Sequence, residues 1–160
     1  MNQKNNQKTN TMEKFKVICK NRFANEYEIE EKYIAGIALE GSEVKSIRKG
    51  NVSIDEAYVV FSGGRPFIVN MYVAPYQNSP FNPDPTRSRA LLLRKEEIER
   101  IYGKATRREM KIIPLAVLLK ENKLVKIEIG IGKKKKLWDK RREIIEKEMR
   151  RKERELKRRL

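Results

Sequence analysis

Chemistry in this chain has to come from charge and a few aromatic rings, because the common reactive side chains are missing. The 160 residues include no histidine and one cysteine, Cys19, so neither a Cys/His metal site nor an imidazole-assisted nucleophile can be assembled. No Gly-rich phosphate loop stands in the sequence either. What stands out is Lys133-Lys134-Lys135-Lys136-Leu137-Trp138-Asp139-Lys140-Arg141. Four consecutive ammonium groups repel one another in an isolated chain, and a polyanion laid against them turns repulsion into attraction by releasing its condensed counterions. Trp138 beside Asp139, Lys140 and Arg141 adds a ring able to stack on bases and cations able to meet phosphates. This mixture shifts the balance from a solvated charge run toward a nucleic-acid contact. The weak catalytic alternative is a carboxylate Mg²⁺ site of a nuclease built from Glu30, Glu31, Glu43 and Asp84, against the plainer reading that these acids balance a basic surface. The chain reads as a binder, without cofactor or metal and not as an enzyme.

Composition divides the chain. Lys and Arg total 38 against 22 Asp and Glu, a net charge of +16, and residues 133–160 hold 15 of the bases and only 6 of the acids. Residues 15–132 carry most of the apolar side chains and can build one core, residues 1–14 form a polar arm expected to be disordered, and 133–160 form a basic tail. One cysteine cannot make an intrachain disulfide, which fits a reducing cytoplasm, and Cys19 in a short apolar run reads as a small buried hydrophobe. The polar arm lacks the apolar core of a signal peptide, and no run approaches the ~20 apolar residues of a membrane span, so no membrane partner is expected.

The elements that must position these charges follow from periodicity. From Tyr27 to Leu39 the odd positions are mostly apolar with Glu28, Glu30 and Lys32 between, the period of a half-buried strand. Gly41 to Gly50 reads as a short helix, capped by Ser42 and stopped by Gly50, with Val44 and Ile47 inward and Lys45, Arg48 and Lys49 outward. Residues 57–62 and 67–73 form a hairpin over Gly63-Gly64. The segment 75–89 holds four prolines and reads as a long functional loop. A helix over 94–102 ends at Gly103, and strands 112–119 and 124–131 turn over residues 120–123. In the last strand Val125, Ile127, Ile129 and Ile131 point one way and Lys126 the other.

Five or six antiparallel strands with short helices in a basic domain predict a small closed barrel of the oligonucleotide-binding (OB) type, because closure removes free sheet edges. Past Asp139 the tail carries five acid-before-base pairs at i,i+4, beginning with Glu143/Lys147, each worth ~0.3–0.5 kcal/mol, which makes an isolated helix marginal. Its apolar residues Trp138, Ile145, Met149, Leu156 and Leu160 fall within about 60° of one another, a stripe thinner than a core-docked helix shows. The tail is therefore expected to be disordered when free and helical when a partner binds it.

Read in order, residues 26–31, Ala35-Gly36-Ile37, Gly41-Ser42-Glu43-Val44-Lys45-Ser46-Ile47-Arg48, the Asp84-Pro85-Thr86-Arg87 block running on to Leu93, and residues 135–141 resemble the SsrA-binding protein (small protein B) family. The likeness runs from Val17 to Arg142. It implies an OB-type barrel that binds the tRNA-like part of transfer-messenger RNA (tmRNA, the SsrA RNA) and takes it to stalled ribosomes for trans-translation. The partners implied are tmRNA, the small-subunit decoding region and messenger channel of the ribosome, and elongation factor Tu indirectly through charged tmRNA. By position, Asn21, Arg22, Tyr27, Leu92 and Lys126 would face RNA, and Asp139, Lys140 and Arg141, with Trp138, the ribosome. Lys45, Arg48 and Lys133, Lys134, Lys135 and Lys136 join the RNA-facing set on charge and placement alone. A structural ribosomal protein or a general single-strand RNA binder with the same basic barrel are the alternatives.

Overall fold

The computed structural model describes residues 15–135 and 137–159, the helix being given by backbone alone at 137–140 and 159. The elements are β1 (Phe15–Lys20), β2 (Tyr27–Ile37), α1 (Gly41–Arg48), β3 (Val52–Ser53), β4 (Tyr58–Ser62), β5 (Arg65–Val69), β6 (Tyr72–Val73), β7 (Arg89–Leu92), α2 (Lys95–Ala105), β8 (Met110–Lys120), β9 (Leu124–Lys134) and α3 (Leu137–Arg159). A single 3-10 turn, Ala24–Glu26, leads into β2.

Seven antiparallel strands hydrogen-bond in the order β1-β8-β9-β2-β7-β5-β4, and β3 and β6 form a separate ribbon. The expected closed barrel is therefore a curved open sheet. β4 comes up against β8 but forms no ladder with it. A cavity of about 820 Å³ opens along that seam, lined by Phe23, Tyr27, Tyr58 and Tyr102 among others. β1 already takes the outer edge of β8 over residues 116–120, and at the rest of the seam these rings line an open gap rather than a ladder bridging it.

Alternation sets β2 and β9, and a continuous apolar run sets β8. Val125, Ile127, Ile129 and Ile131 are buried, three of them completely, with Ala35, Val117, Ile47 of α1 and Ile101 of α2 in the same core. The turn between β8 and β9 works because Glu121 and Asn122 both adopt left-handed backbone, φ 52° and 58°. The Gly63-Gly64 hairpin forms as expected, with φ 58° and 78°. Gly132 is fixed by space: a Cβ there would lie 2.1 Å from the Glu28 carbonyl oxygen, where β2 bulges between Ile29 and Glu31.

Several expectations need correction. The run 67–73 breaks at Asn70, whose φ of 60° turns the chain out of β5 before β6. Gly103 does not stop α2, which runs on to Ala105 because nothing forces Gly103 from helical backbone; the Thr106 hydroxyl donates to the Gly103 carbonyl at 2.8 Å instead. Ser42 does not cap α1, since Glu40 is the capping residue and its backbone N–H donates to Glu43 Oε1 at 3.0 Å. Cys19 is only half-buried, on the edge strand β1 and packed against the core, and burial raises its thiol pKa.

Candidate nucleic-acid interface

The register builds one row across five strands on the face opposite the core. Val17 pairs with Leu118, Leu118 with Lys126, Lys126 with Gly36, and Gly36 with Leu92. Directly opposed residues share a face, so this row sets an ammonium group among apolar neighbours. Leu92 is 60% exposed and Val17 47%. Gly36 keeps the surface low, because a Cβ there would come within 3.1 Å of Leu92 Cβ and 3.5 Å of Lys126 Nζ. The next row, Lys20, Ala116, Glu128 and Ile34, continues the surface. Beside Leu92 and Lys126 a depression of about 890 Å³ takes in Arg65, Arg94 and Ile34. An apolar floor with fixed cations at its rim suits bases or riboses below and phosphates above.

The other expected residues are dispersed. Asn21 is buried: its side-chain amide donates to the Pro114 carbonyl at 2.8 Å and its side-chain oxygen accepts from the Phe23 N–H at 2.9 Å. It shapes the turn after β1 rather than presenting a polar group. Arg22 is exposed but engaged, its backbone N–H and Nε reaching the two oxygens of Asp55 at 3.0 and 2.8 Å. Those contacts, the backbone N–H first, hold the Asp55 carboxyl below its ordinary value. Tyr27 opposes Lys134 and lines the seam cavity. Lys45 and Arg48 lie exposed on α1 as expected, and Arg48 Nη2 donates to the Lys123 carbonyl at 3.4 Å.

The lysine run straddles an element boundary. Lys133 and Lys134 end β9, opposite Glu28 and Tyr27, and the Lys135 N–H donates to the Glu26 carbonyl at 2.8 Å while its ammonium meets Glu143 at 2.9 Å. Lys136 lies outside the described residues, as do the side chains of Trp138, Asp139 and Lys140; Arg141 is exposed on α3. The helix leaves Ile144, Ile145, Met149 and Leu156 each more than half exposed. Its described i,i+4 ion pairs, Arg142–Glu146 and Arg151–Glu155, run base before acid, the reverse of the pairs expected, and at 3.7 and 3.8 Å they are loose. Exposed long side chains gain little from locking either geometry.

Three of the four carboxylates proposed for Mg²⁺, Glu31, Glu43 and Asp84, are committed elsewhere, and Glu30 is exposed on β2. Glu43, 3% exposed, binds Arg87 Nη2 at 2.5 Å and Arg89 Nε at 2.7 Å. Burial pushes its pKa up, yet Arg87, the Glu40 N–H and Arg89 together hold it below the ordinary value. Arg89 is fully buried and also donates to the carbonyls of Met71, Arg87 and Pro85 at 2.7, 3.2 and 3.0 Å. Glu31 is held low by Lys104 and then Tyr33, and Asp84 caps its own turn through Thr86. Among the described residues no three acids, cysteines or histidines gather as a metal site.

Comparison with known proteins identifies the family. The model of the SmpB protein family matches residues 18–159. The SsrA-binding protein of Acholeplasma laidlawii is 50% identical over 138 residues, covering 85% of this chain and 92% of that one. That of Aquifex aeolicus is 49% identical over 144 residues, 88% and 91% of the two chains. A chain solved in work described as "tmRNA-SmpB: a journey to the center of the bacterial ribosome" superposes with a TM-score of 0.64 at 40% identity, covering 74% of this chain and 85% of that one.

Proposed function

The chain belongs to the SmpB family, the SsrA-binding proteins, and on that premise we propose which of its surfaces meet which partner. It binds tmRNA and acts with it on the ribosome in trans-translation. No helix among the described residues is long and apolar enough to cross a membrane, and work on the ribosome fits the cytoplasm. Its role is recognition rather than catalysis.

The observation that carries the assignment of surfaces is the row Leu92–Gly36–Lys126, in which an exposed leucine and a half-buried lysine flank a glycine that keeps the surface low. A cation fixed on a rigid strand loses little side-chain freedom when it meets a phosphate, and the flat apolar floor beside it accepts a ribose or base. We assign this face to the tRNA-like part of tmRNA. Tyr27 and Arg22, with Asn21 shaping their turn, form its second edge, and Lys133 to Lys136 add salt-sensitive affinity. Elongation factor Tu joins through the charged tmRNA.

Trp138, Asp139, Lys140 and Arg141 begin α3, whose apolar stripe finds little cover on the sheet, and they act after RNA binding, in the vacant messenger channel. Ribosomal RNA there supplies the phosphates and base faces that offset an ordering cost of roughly 1–2 kcal/mol per residue in a free tail. Messenger in the channel excludes the helix sterically. Changing all four residues to Ala should leave tmRNA binding nearly intact and abolish peptide tagging on stalled ribosomes. Loss of tmRNA affinity in proportion to tagging would move this stretch onto the tmRNA face.

A further inference from the structure

The loop between β6 and β7 displays an aromatic ring that neither the core nor the sheet face uses. Phe81 is 84% exposed, the most exposed of the large apolar side chains described. Hydrogen bonds hold the loop beneath it. The Tyr76 N–H donates to Asn82 Oδ1 at 2.9 Å, Asn82 Nδ2 donates back to the Tyr76 carbonyl at 3.1 Å, and the Ser79 hydroxyl donates to the Phe81 carbonyl at 2.8 Å. The start of the loop is pinned to α1, where the Ser46 hydroxyl donates to the Ala74 carbonyl at 2.6 Å. Tyr76 lies under two cations, Lys45 Nζ at 5.4 Å and Lys49 Nζ at 5.0 Å from its ring centroid. The basic edge of α1 runs on through Arg48 to the carbonyl of Lys123, three residues before Lys126 of the sheet face. A protruding ring on a braced loop, with two cations of α1 over Tyr76 at the base of that loop, matches a polyanion that carries stackable bases.

We propose that Phe81 is a second tmRNA contact, stacking on an unpaired base while Lys45, Arg48 and Lys49 take the neighbouring phosphates. The proposal rests on the tmRNA-binding reading above and extends it beyond the sheet. Pre-bracing by Asn82 matters because a loop backbone already held in place gives up less freedom on binding.

The test is equilibrium binding of the full chain to transcribed tmRNA over a series of KCl concentrations, with thermal melts of every variant. Phe81→Ala should weaken binding about 5- to 150-fold, the equivalent of ~1–3 kcal/mol for one stacked base. Its salt slope and melting temperature should stay as in the parent. Phe81→Trp should bind like the parent and Phe81→Leu like the Ala variant. Lys45→Ala with Lys49→Ala should flatten the slope of log K against log[salt] by about 1.5 to 2. Binding of Phe81→Ala within twofold of the parent, while Leu92→Ala with Lys126→Ala binds weakly, refutes the loop contact and leaves the sheet face standing. If neither variant weakens binding, the sheet-face assignment fails as well. Parent-like binding by Phe81→Leu, or a fall in melting temperature that tracks the loss, also overturns stacking.

Discussion

Replacing Glu43 by Gln should be the most damaging single polar change in this protein. The carboxylate is 3% exposed and lies between Arg87, 29% exposed, and Arg89, fully buried. Glutamine keeps the shape and removes the charge, leaving two guanidinium groups side by side with only the more distant Asp84 carboxylate to compensate them. Breaking one partner out of a buried ion pair costs about 3–5 kcal/mol. For a folded body of this size each kcal/mol moves the melting temperature by about 3–6 °C, so a fall of about 10–30 °C is expected. Arg87, partly solvated, should matter less: Arg87→Ala should cost about 1–2 kcal/mol. Adding Arg89→Met to Glu43→Gln removes the stranded charge, so the double variant should lose less than the two single losses combined. The pH dependence has a definite sign. The folded pKa of Glu43 lies below its ordinary 4.5, so its contribution is fully present above that value and disappears as pH falls through the lowered native one. The assay is calorimetry of parent, singles and double at pH 7, then of parent and Glu43→Gln down to pH 3. A Glu43→Gln melt within 2 °C of the parent would refute the reasoning. So would additivity of Glu43→Gln and Arg89→Met to within about 0.5 kcal/mol, which marks independent sites.

Three further outcomes follow from the same geometry. Gly132→Ala should prevent a cooperative melt or lower it sharply in calorimetry, because the added methyl meets the Glu28 carbonyl oxygen at 2.1 Å and the β2–β9 register has to move. Truncation after Lys135 should leave a cooperatively melting domain by circular dichroism, whereas truncation after Gly132 should cost stability, since β9 runs to Lys134 and the Lys135 N–H closes on Glu26. The Cys19 thiol, raised by burial, should react with a disulfide reagent at pH 7.5 more slowly than in the urea-unfolded chain, and equal rates would show that β1 does not protect it.

Alternation by itself determined the long strands β2 and β9 and the inward set Val125, Ile127, Ile129 and Ile131, because side-chain direction in a strand has a period of two whatever the neighbour is, while β8 was legible as a continuous apolar run. The Gly63-Gly64 turn and the charge imbalance of the tail were equally local, and Lys126 could be placed on the outer face for the same reason. Which residues stand beside Lys126 was decided only by register between distant strands: nothing near position 126 in the sequence points to Val17, Gly36 or Leu92. Closure also lay beyond the sequence. Strand count favours a barrel, but whether β4 meets β8 in a ladder is settled by how distant segments come together at the seam, whose cavity is lined by Phe23, Tyr27, Tyr58 and Tyr102 from four separate segments. Glu43 shows the limit most plainly, since in sequence it is an acid in the first turn of a helix, an ordinary solvated position. Its partners are 44 and 46 residues away, and only folding brings Arg87 and Arg89 to it, turning a surface-type residue into the buried anion that fixes the loop carrying Phe81.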